Sequence, residues 1–303
     1  MPDISESPIL EVTDPGMGVS IQDLGRIGWR RFGVPMSGAM DDHSARVANV
    51  LLDNPPDAPV LEMLLQGQRI RVLKTCWLAV TGADASSTVA DWHAVQVLAG
   101  SELVFPVNRK GVWIYLALAG GFAGEVRFGS ASVSARAGIG KMLAAGDRLY
   151  RREASHLHLS ASVAGRVAAW DEQRDFLKPP VLRVWRGPQW AEVEAEARVI
   201  FFESEWEVSS KSDRSGYRLN GPGVPVPGLE MISEPVRIGS IQIPGGGQPI
   251  VTMRDGPTVG GYPKLGMIDP RDLSWLTQCR PGQKVRFREL DSEIGIVPED
   301  RGD

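Results

Sequence analysis

The sequence lacks the marks of several common protein classes. Its 303 residues include two cysteines, Cys76 and Cys279, whose wide separation gives neither a zinc-binding spacing nor a disulfide framework. We therefore expect a reducing compartment. The net charge is −4, and the densest basic cluster consists of Arg26, Arg30 and Arg31. Because phosphate neutralisation requires many clustered Lys and Arg residues, no nucleic-acid partner is expected.

Long apolar runs are also missing. No stretch approaches the ~18 uncharged apolar residues of a membrane-spanning helix, so neither a transmembrane segment nor a membrane partner is expected. The opening residues MPDISESPILEV contain no basic region followed by a long apolar run, which predicts that there is no signal peptide. Together these absences predict a cytoplasmic protein.

Familiar catalytic motifs are absent as well. The chain has no Gly-x-Ser-x-Gly nucleophile turn, no HExxH helix and no Gly-x-x-x-x-Gly-Lys-[Ser/Thr] phosphate loop. His156 and His158 alternate on one predicted strand, where a polar strand face explains them more simply than a metal does. We predict no metal site, and no motif of this chain itself indicates nucleotide binding.

What is abundant is glycine and proline, with 34 and 22 residues. Many turns between short apolar runs are typical of a mainly β fold. Period-two and apolar runs predict strands at 112–119, 156–160, 181–185, 198–202, 205–208 and 284–288. Helical signals are few and predict short helices at 41–52, 189–197 and 269–279, the last with Asp269 as its N-cap and Pro270 in its first turn.

The clearest break in the chain is Lys178-Pro179-Pro180. It predicts an N-terminal β-rich domain of residues 1–178 and a C-terminal β domain of residues 179–303. Residues 20–22 and 240–242 both read Ser-Ile-Gln. Three matching residues do not establish a duplication, but related folds for the two halves remain possible.

Residues 239–264 form the most informative segment, with seven glycines around two short apolar runs. Glycine lets another backbone or a ligand approach closely, so the pattern predicts a strand, a tight turn, a second strand and a backbone-lined loop. Within that loop, Asp255 can act as a general base and Lys264 can neutralise a developing negative charge. The alternative is that Asp255-Gly256-Pro257 is only a turn. We favour a site, in which Thr258 and Tyr262 bind substrate.

Two other polar clusters are candidates. In residues 22–42, Asp23 and Arg26 either form an ion pair that pins a loop or, with Ser37, line a cleft. In residues 209–220, Arg214 and Tyr217 suggest recognition of a carboxylate or phosphate, although a solvated turn explains the same residues.

At these clusters the sequence resembles the family of 5-oxoprolinase C subunits, which is also described as allophanate hydrolase subunit 2 or biotin-dependent carboxyltransferase subunit. The matching segments run in family order from about residue 10 to residue 289. They are VSIQDLGR (19–26), GVPMSGAMD (33–41), SDRSGYRL (212–219), SE (233–234), GSIQIP (239–244), GQPI (247–250) and GGYPK (260–264). Three residues depart from the expected pattern: Ala131 and Val133 replace Arg and Thr, and Ser215 replaces Met. If these positions contact substrate, they put its identity in doubt.

The resemblance implies a mainly β fold of cyclophilin-like β-barrel units with a few short helices. It implies an ATP-dependent lactam hydrolase that converts a small molecule, 5-oxo-L-proline, to L-glutamate and is active only in complex. Its partner would be a homologue of the oxoprolinase B subunit, related to allophanate hydrolase subunit 1, with a possible homologue of the A subunit. Arg214, Gln242 and Lys264 could supply the charge and hydrogen bonds that stabilise the reaction. ATP would be bound by, or shared with, the partner subunits.

Two alternatives stay open at this point. The chain could be the carboxyltransferase part of a urea-degrading, biotin-dependent enzyme, although biotin is not expected on this chain because it has no Met-Lys-Met-type segment. It could also be a non-enzymatic antagonist of a kinase inhibitor, acting only by binding.

Overall fold

The computed structural model describes residues 7–85, 87–107, 110–152, 159–226 and 231–290. Contacts divide the chain into two compact units. The first comprises the residues up to Arg26 together with Ser37–Leu177, and the second comprises Ile27–Met36 together with the residues from Lys178 onward. The domain boundary after residue 178 stays a prediction. Of the predicted strand 156–160, residues 156–158, with both histidines, lie outside the described residues.

The described part of the first unit contains nine short strands and one α-helix. They are β1 (Leu10–Pro15), β2 (Val19–Gln22), α1 (Asp42–Val50), β3 (Val60–Leu64), β4 (Gln68–Val72), β5 (Cys76–Gly82), β6 (Ala94–Val97), β7 (Glu102–Phe105), β8 (Trp113–Leu118) and β9 (Arg148–Leu149). The strands form a five-stranded sheet in the order β2-β3-β8-β5-β6 and a four-stranded sheet in the order β7-β4-β1-β9.

The core of the first unit lies between the apolar faces of its two sheets, because buried and exposed side chains alternate along several of the strands. Along β4 the buried residues alternate with exposed arginines, and all six residues of β8 are buried, as their continuous apolar sequence predicts. Leu10 and Ile70 from the four-stranded sheet share one hydrophobic cluster with Leu61, Ile114 and Leu116 from the five-stranded sheet.

The second unit contains, in its described residues, ten strands and two α-helices. They are β10 (Leu182–Arg186), α2 (Ala195–Glu203), β11 (Trp206–Val208), β12 (Gly216–Asn220), β13 (Glu234–Pro235), β14 (Ser240–Gln242), β15 (Ile250–Thr252), β16 (Val259–Gly260), β17 (Lys264–Ile268), α3 (Pro270–Thr277), β18 (Lys284–Val285) and β19 (Phe287–Glu289). Single 3₁₀ turns of the chain lie at Arg30–Phe32, Ala135–Ala137, Ala161–Val163 and Trp190–Glu192.

Eight strands of the second unit form one sheet in the order β18-β11-β12-β15-β14-β17-β10-β19. Its two edge strands are separated in sequence by Arg286 alone, and the Arg286 carbonyl accepts the Leu182 amide at 2.8 Å. The chain therefore passes directly from one edge of the sheet to the other, which nearly closes it into a barrel. The prediction of a mainly β fold with barrel units and a few short helices is confirmed.

The predicted helices that begin with a capping aspartate are present in the structure. Asp41 caps α1 by accepting the Ser44 amide, and Asp269 caps α3 by accepting the Arg271 amide, with Pro270 following as predicted. The predicted strand at 198–202 is wrong, because these residues lie in α2. Ala197 and Phe201, four residues apart, are the buried positions of that helix.

Candidate functional site

Lys264 lies at the start of β17, directly opposite Gln242 of β14. A bulge between Ile241 and Gln242 sets this register, and bulges commonly re-aim side chains near functional sites. Lys264 is only 4% exposed, and its ammonium donates to the Glu234 carboxylate. Because a buried ammonium is costly unless paired, Glu234 is what makes a lysine tolerable at this position.

Gln189 joins the two charged residues. Its Oε1 accepts the Lys264 amide at 3.0 Å, and its Nε2 donates to Glu234 Oε1 at 2.8 Å. The hydrogen bond from Lys264, reinforced by that from Gln189, lowers the pKa of Glu234. The pair therefore consists of a charged carboxylate and an ammonium, and the ammonium has further N–H donors beyond the one on Glu234. Such a donor can stabilise an oxyanion.

The strands β13 and β16 form a two-stranded ribbon beside this pair, with Glu234 opposite Gly260. A Cβ on Gly260 would come within 2.9 Å of Gln242 Oε1, so the absence of a side chain here lets the ribbon lie close to Gln242. The Gln242 amide donates to Thr252 Oγ1 at 2.8 Å. This ribbon thus adds Glu234 to Lys264 and Gln242, which the pairing of β14 with β17 already places opposite each other.

Asp255 and Arg214 form a second pair. The Arg214 Nε donates to Asp255 Oδ2 at 2.8 Å, and the Asp255 amide donates to the Arg214 carbonyl at 2.8 Å. The Asp255 side chain is 7% exposed and that of Arg214 is 20% exposed. Among the described residues, Asp255 Oδ1 is buried without a hydrogen-bond donor. Two residues expected in the site on separate grounds are therefore in direct contact.

The other predicted site residues of the second unit differ in surroundings. Tyr217 is buried, and its hydroxyl donates to the Thr277 carbonyl at 2.7 Å. The Thr258 carbonyl accepts the Val236 amide, which closes the ribbon. Tyr262 is 49% exposed and lies two residues before Lys264. The substrate-binding roles of Tyr217, Thr258 and Tyr262 stay predictions.

Asp23 and Arg26 of the first unit both bind residues 127–132. The Asp23 carboxylate accepts the Ser130 hydroxyl at 2.6 Å and the Ala131 amide at 2.6 Å. The Arg26 guanidinium donates to the carbonyls of Arg127 and Ser132. Both side chains thus hold the loop that carries the Ala131 departure, while the predicted Asp23–Arg26 ion pair and the alternative of a cleft stay predictions.

Ser37 is fully buried, with φ of 56°, in the left-handed region that is strained for serine. Four residues later, Asp41 donates its amide to the Tyr115 hydroxyl at 2.7 Å, and that hydroxyl donates to Glu62 at 2.8 Å. Burial and the nearby Glu62 charge raise the pKa of Tyr115, which keeps it a neutral donor. This network supports the loop before α1.

Over the described ranges, no group of three or more His, Cys, Asp or Glu side chains is arranged to hold a metal ion. Burial raises the pKa of Cys76 to about 11 and that of Cys279 to about 12, so both remain unreactive thiols. No helix in the described part of the chain is long and apolar enough to cross a membrane.

These features define a β-barrel protein in which a buried lysine of the barrel sheet pairs with a partly exposed glutamate of the β13–β16 ribbon. The family described as carboxyltransferase domain, subdomain A and B, matches residues 32–289. The chain is 34% identical to the 5-oxoprolinase C subunit of Haemophilus influenzae, over 93% of this chain and 91% of that protein. It is 32% identical to the 5-oxoprolinase C subunit of Escherichia coli, over 95% and 93%. The chain therefore belongs to this carboxyltransferase-domain family.

Longer proteins contain a similar region. The urea amidolyase of Saccharomyces cerevisiae is 29% identical over 95% of this chain, which spans 17% of that protein. The crystal structure of TTHA0988 superposes with a TM-score of 0.84 and 33% identity over 95% of this chain, which spans 56% of it. The Kluyveromyces lactis urea carboxylase superposes with a TM-score of 0.81 and 28% identity over 94% of this chain, which spans 28% of it.

Three residues of this region were not among the predicted site residues: Gln189, Glu234 and Arg30. Glu234 belongs to the Ser-Glu segment that matches the family, which is the one signal that pointed to it. Gln189 and Arg30 carry no sequence signal of a site, because their partners lie far away along the chain.

Proposed function

We propose that this chain is a subunit of an ATP-dependent 5-oxoprolinase, which opens the lactam ring of 5-oxo-L-proline to give L-glutamate. The observation that carries the proposal is the nearly end-to-end match, at 34% and 32% identity, to two proteins named as the C subunit of 5-oxoprolinase. The urea amidolyases match over as much of this chain, but the chain spans only 17% of their length.

The geometry around Lys264 suits the reaction. An amide carbon is a poor electrophile, so the lactam oxygen must be activated, and transfer of the ATP γ-phosphoryl group to that oxygen gives a phosphorylated imidate that water can attack. The ring C–N bond then breaks with the nitrogen leaving as the amine, and a second water hydrolyses the resulting acyl phosphate to glutamate and inorganic phosphate. Phosphoryl transfer and this hydrolysis both develop negative charge on oxygen. The Lys264 ammonium and the Gln242 amide are oriented donors that can stabilise this charge.

Arg214 is proposed to recognise an anionic group, either the substrate carboxylate or a phosphate. Its Nε is held by the Asp255 carboxylate at 2.8 Å, which fixes the direction of the guanidinium. In this arrangement Asp255 orients Arg214. A role for Asp255 as general base requires that its second oxygen, Oδ1, become accessible.

Partners and co-substrate complete the proposal. We expect a homologue of the oxoprolinase B subunit as the direct partner, with a homologue of the A subunit as a further candidate, because a protein named as one subunit implies others. We expect ATP to be bound by, or shared with, those partners, since the chain has no phosphate-loop motif. Biotin is not expected on this chain. A cytoplasmic location fits the reaction's need for ATP.

The test is the activity of the assembled complex with Lys264→Met, which keeps the aliphatic stem. Removing an oriented donor from a developing oxyanion should lower kcat at least about a hundredfold. The melting temperature should change little, because the freed Glu234 side chain is 35% exposed and can be solvated. Lys284→Met is the matched control, since Lys284 pairs with Glu205 and is 63% exposed.

A complex that shows ATP-dependent glutamate formation with wild-type chain and retains it with Lys264→Met would remove Lys264 from the chemistry. A complex with the B-subunit homologue that shows no such activity, but carboxylates urea when supplied with a biotinylated carrier, would replace the proposal with the carboxyltransferase alternative.

A further inference from the structure

Arg30 lies in the Ile27–Met36 segment, which belongs to the second unit although the chain on either side belongs to the first. Its Nη2 donates to the Val236 carbonyl at 2.7 Å and to the Pro257 carbonyl at 2.8 Å, with partners 206 and 227 residues away in sequence. Hydrogen bonds from a charged donor are among the stronger ones in proteins. Arg30 therefore ties together two distant points of the second unit.

Those two points belong to the β13–β16 ribbon. Val236 follows directly after β13, and Pro257 lies two residues before β16. Each strand of the ribbon has two residues, and the Val236 amide adds one more bond to the Thr258 carbonyl at 3.0 Å. Because so short a two-stranded ribbon is marginal without external support, the bond of Arg30 to both of its sides is a substantial part of what holds it.

The ribbon also positions Glu234 next to Lys264. Glu234 is the first residue of β13, and its pairing partner Gly260 packs against Gln242 Oε1. A displacement of the ribbon would move the Glu234 carboxylate away from the ammonium and open the contact with Gln242. Arg30 thus acts on the candidate site indirectly, by binding backbone carbonyls of the ribbon that carries Glu234.

Arg30 keeps its positive charge at a position where burial makes that charge costly. Burial lowers its pKa, and among the described residues no carboxylate offsets that effect. Within the same part of the chain, its Nη1 is buried without a hydrogen-bond acceptor. A desolvated cation without a counter-charge costs stability, whereas a neutral donor could bind the same carbonyls at lower cost. The cost of this cation is one more sign that its bonds to the Val236 and Pro257 carbonyls matter to the second unit.

We propose that Arg30 is a positioning residue of the Lys264 site: it braces the β13–β16 ribbon so that Glu234 stays on Lys264. The proposal rests on the proposed function for its catalytic consequence, but the bracing itself does not.

The bracing is tested in the full chain by amide hydrogen exchange. Arg30→Met should raise the exchange rate at Val236 at least about tenfold and leave the core amides of β8 unchanged. Arg31→Met is the matched control, because Arg31 is exposed and lies over the Phe32 ring at 4.8 Å. Arg30→Lys, which keeps a charged donor, should restore part of the protection. Unchanged exchange at Val236 in Arg30→Met would overturn the proposal.

The positioning of Glu234 is tested by carbon NMR titration of its carboxylate. In Arg30→Met the pKa of Glu234 should rise toward its ordinary value, because the Lys264 hydrogen bond that lowers it is loosened. A Glu234 titration identical in Arg30→Met and wild type would show that Arg30 does not act on the pair. Neither measurement depends on activity, so both still decide the matter if the oxoprolinase assignment fails.

The third experiment measures the activity of the assembled complex. Arg30→Met should lower kcat/KM about tenfold, and the loss should largely disappear in a Glu234→Gln background, since both changes break one coupled unit. Losses that simply multiply would mean that Arg30 acts independently of Glu234, contrary to the proposal. Arg31→Met should leave kcat/KM unchanged in either background.

Discussion

The Asp255–Arg214 pair makes a quantitative prediction because its two side chains differ in burial. Asp255→Asn keeps an oxygen acceptor for the Arg214 Nε but removes the charge, and the remaining Arg214 side chain is 20% exposed. Replacing a charged acceptor by a neutral one should cost about 2 kcal/mol of unfolding free energy. Arg214→Met instead leaves an ionised carboxylate that is only 7% exposed, which should cost about 3 kcal/mol or more.

The double variant should cost less than the sum of the single variants, with a coupling of about 1.5 kcal/mol. Urea unfolding of the four proteins measures this directly. The Glu205–Arg286 pair is the matched control, because its side chains are 40% and 62% exposed and its coupling should be close to zero.

Two outcomes would refute this reasoning. A coupling below about 0.5 kcal/mol would show that the pair is no stronger than a surface ion pair. A larger loss from Asp255→Asn than from Arg214→Met would reverse the order that burial predicts. If Asp255→Asn leaves stability intact and abolishes turnover of the complex, Asp255 acts in the chemistry and not mainly as the anchor of Arg214.

Two further predictions concern the stability of the second unit. Hydrogen bonds from Arg271 lower the pKa of the α3 cap Asp269 to about 2; because this folded-state pKa is depressed, about 2 kcal/mol of stability should be present above pH 4 and lost as the pH falls toward 2. Asp269→Asn should therefore flatten the pH dependence of urea unfolding in that range, and an unchanged slope would contradict the assignment. Gly221→Ala should cost about 1–3 kcal/mol, because its Cβ would come within 2.6 Å of the Trp206 ring, whereas Gly223→Ala meets nothing within 4 Å and should be nearly neutral; equal melting temperatures would disprove this packing argument.

Local signals predicted the helices that have caps. Asp41 binds an amide three residues ahead and Asp269 binds one two residues ahead, so the information lies within one turn of the chain. The apolar run that forms β8 was equally predictable, because a strand covered on both faces needs no alternation.

The segment at 198–202 shows where local preference fails. Its β-branched and aromatic residues favour a strand, yet it is helical because Phe201 packs against residues that follow it. The Phe201 ring lies 4.9 Å from the Phe287 ring and 5.6 Å from the Trp206 ring, and the Phe201 carbonyl accepts the Trp206 indole N–H. Tertiary packing of this kind has no signature in a five-residue window.

The candidate site was predictable only in part, for the same reason. Glycines and charges marked residues 239–264, and Arg214 and Asp255 were both singled out without any sign that they touch. The Lys264 amide bonds a glutamine 75 residues away, and its ammonium bonds a glutamate 30 residues away. Such contacts depend on strand order and register in the barrel, which a single sequence does not specify.

A comparison of the two Ser-Ile-Gln strands gives a structural reason for proposing a functional role for Lys264. In the first unit, Gln22 of β2 pairs with Val60 of β3, whose sequence is Val-Leu-Glu-Met-Leu. In the second unit, Gln242 of β14 pairs with Lys264 of β17, whose sequence is Lys-Leu-Gly-Met-Ile.

The same local arrangement therefore accepts an apolar residue opposite the glutamine in one unit and a lysine in the other. A buried lysine is costly where valine serves, and the second unit adds a bulge, Glu234 and Gln189 to hold it. Since proteins depart from the simplest packing mainly at functional sites, this contrast supports the proposal that Lys264 takes part in the chemistry.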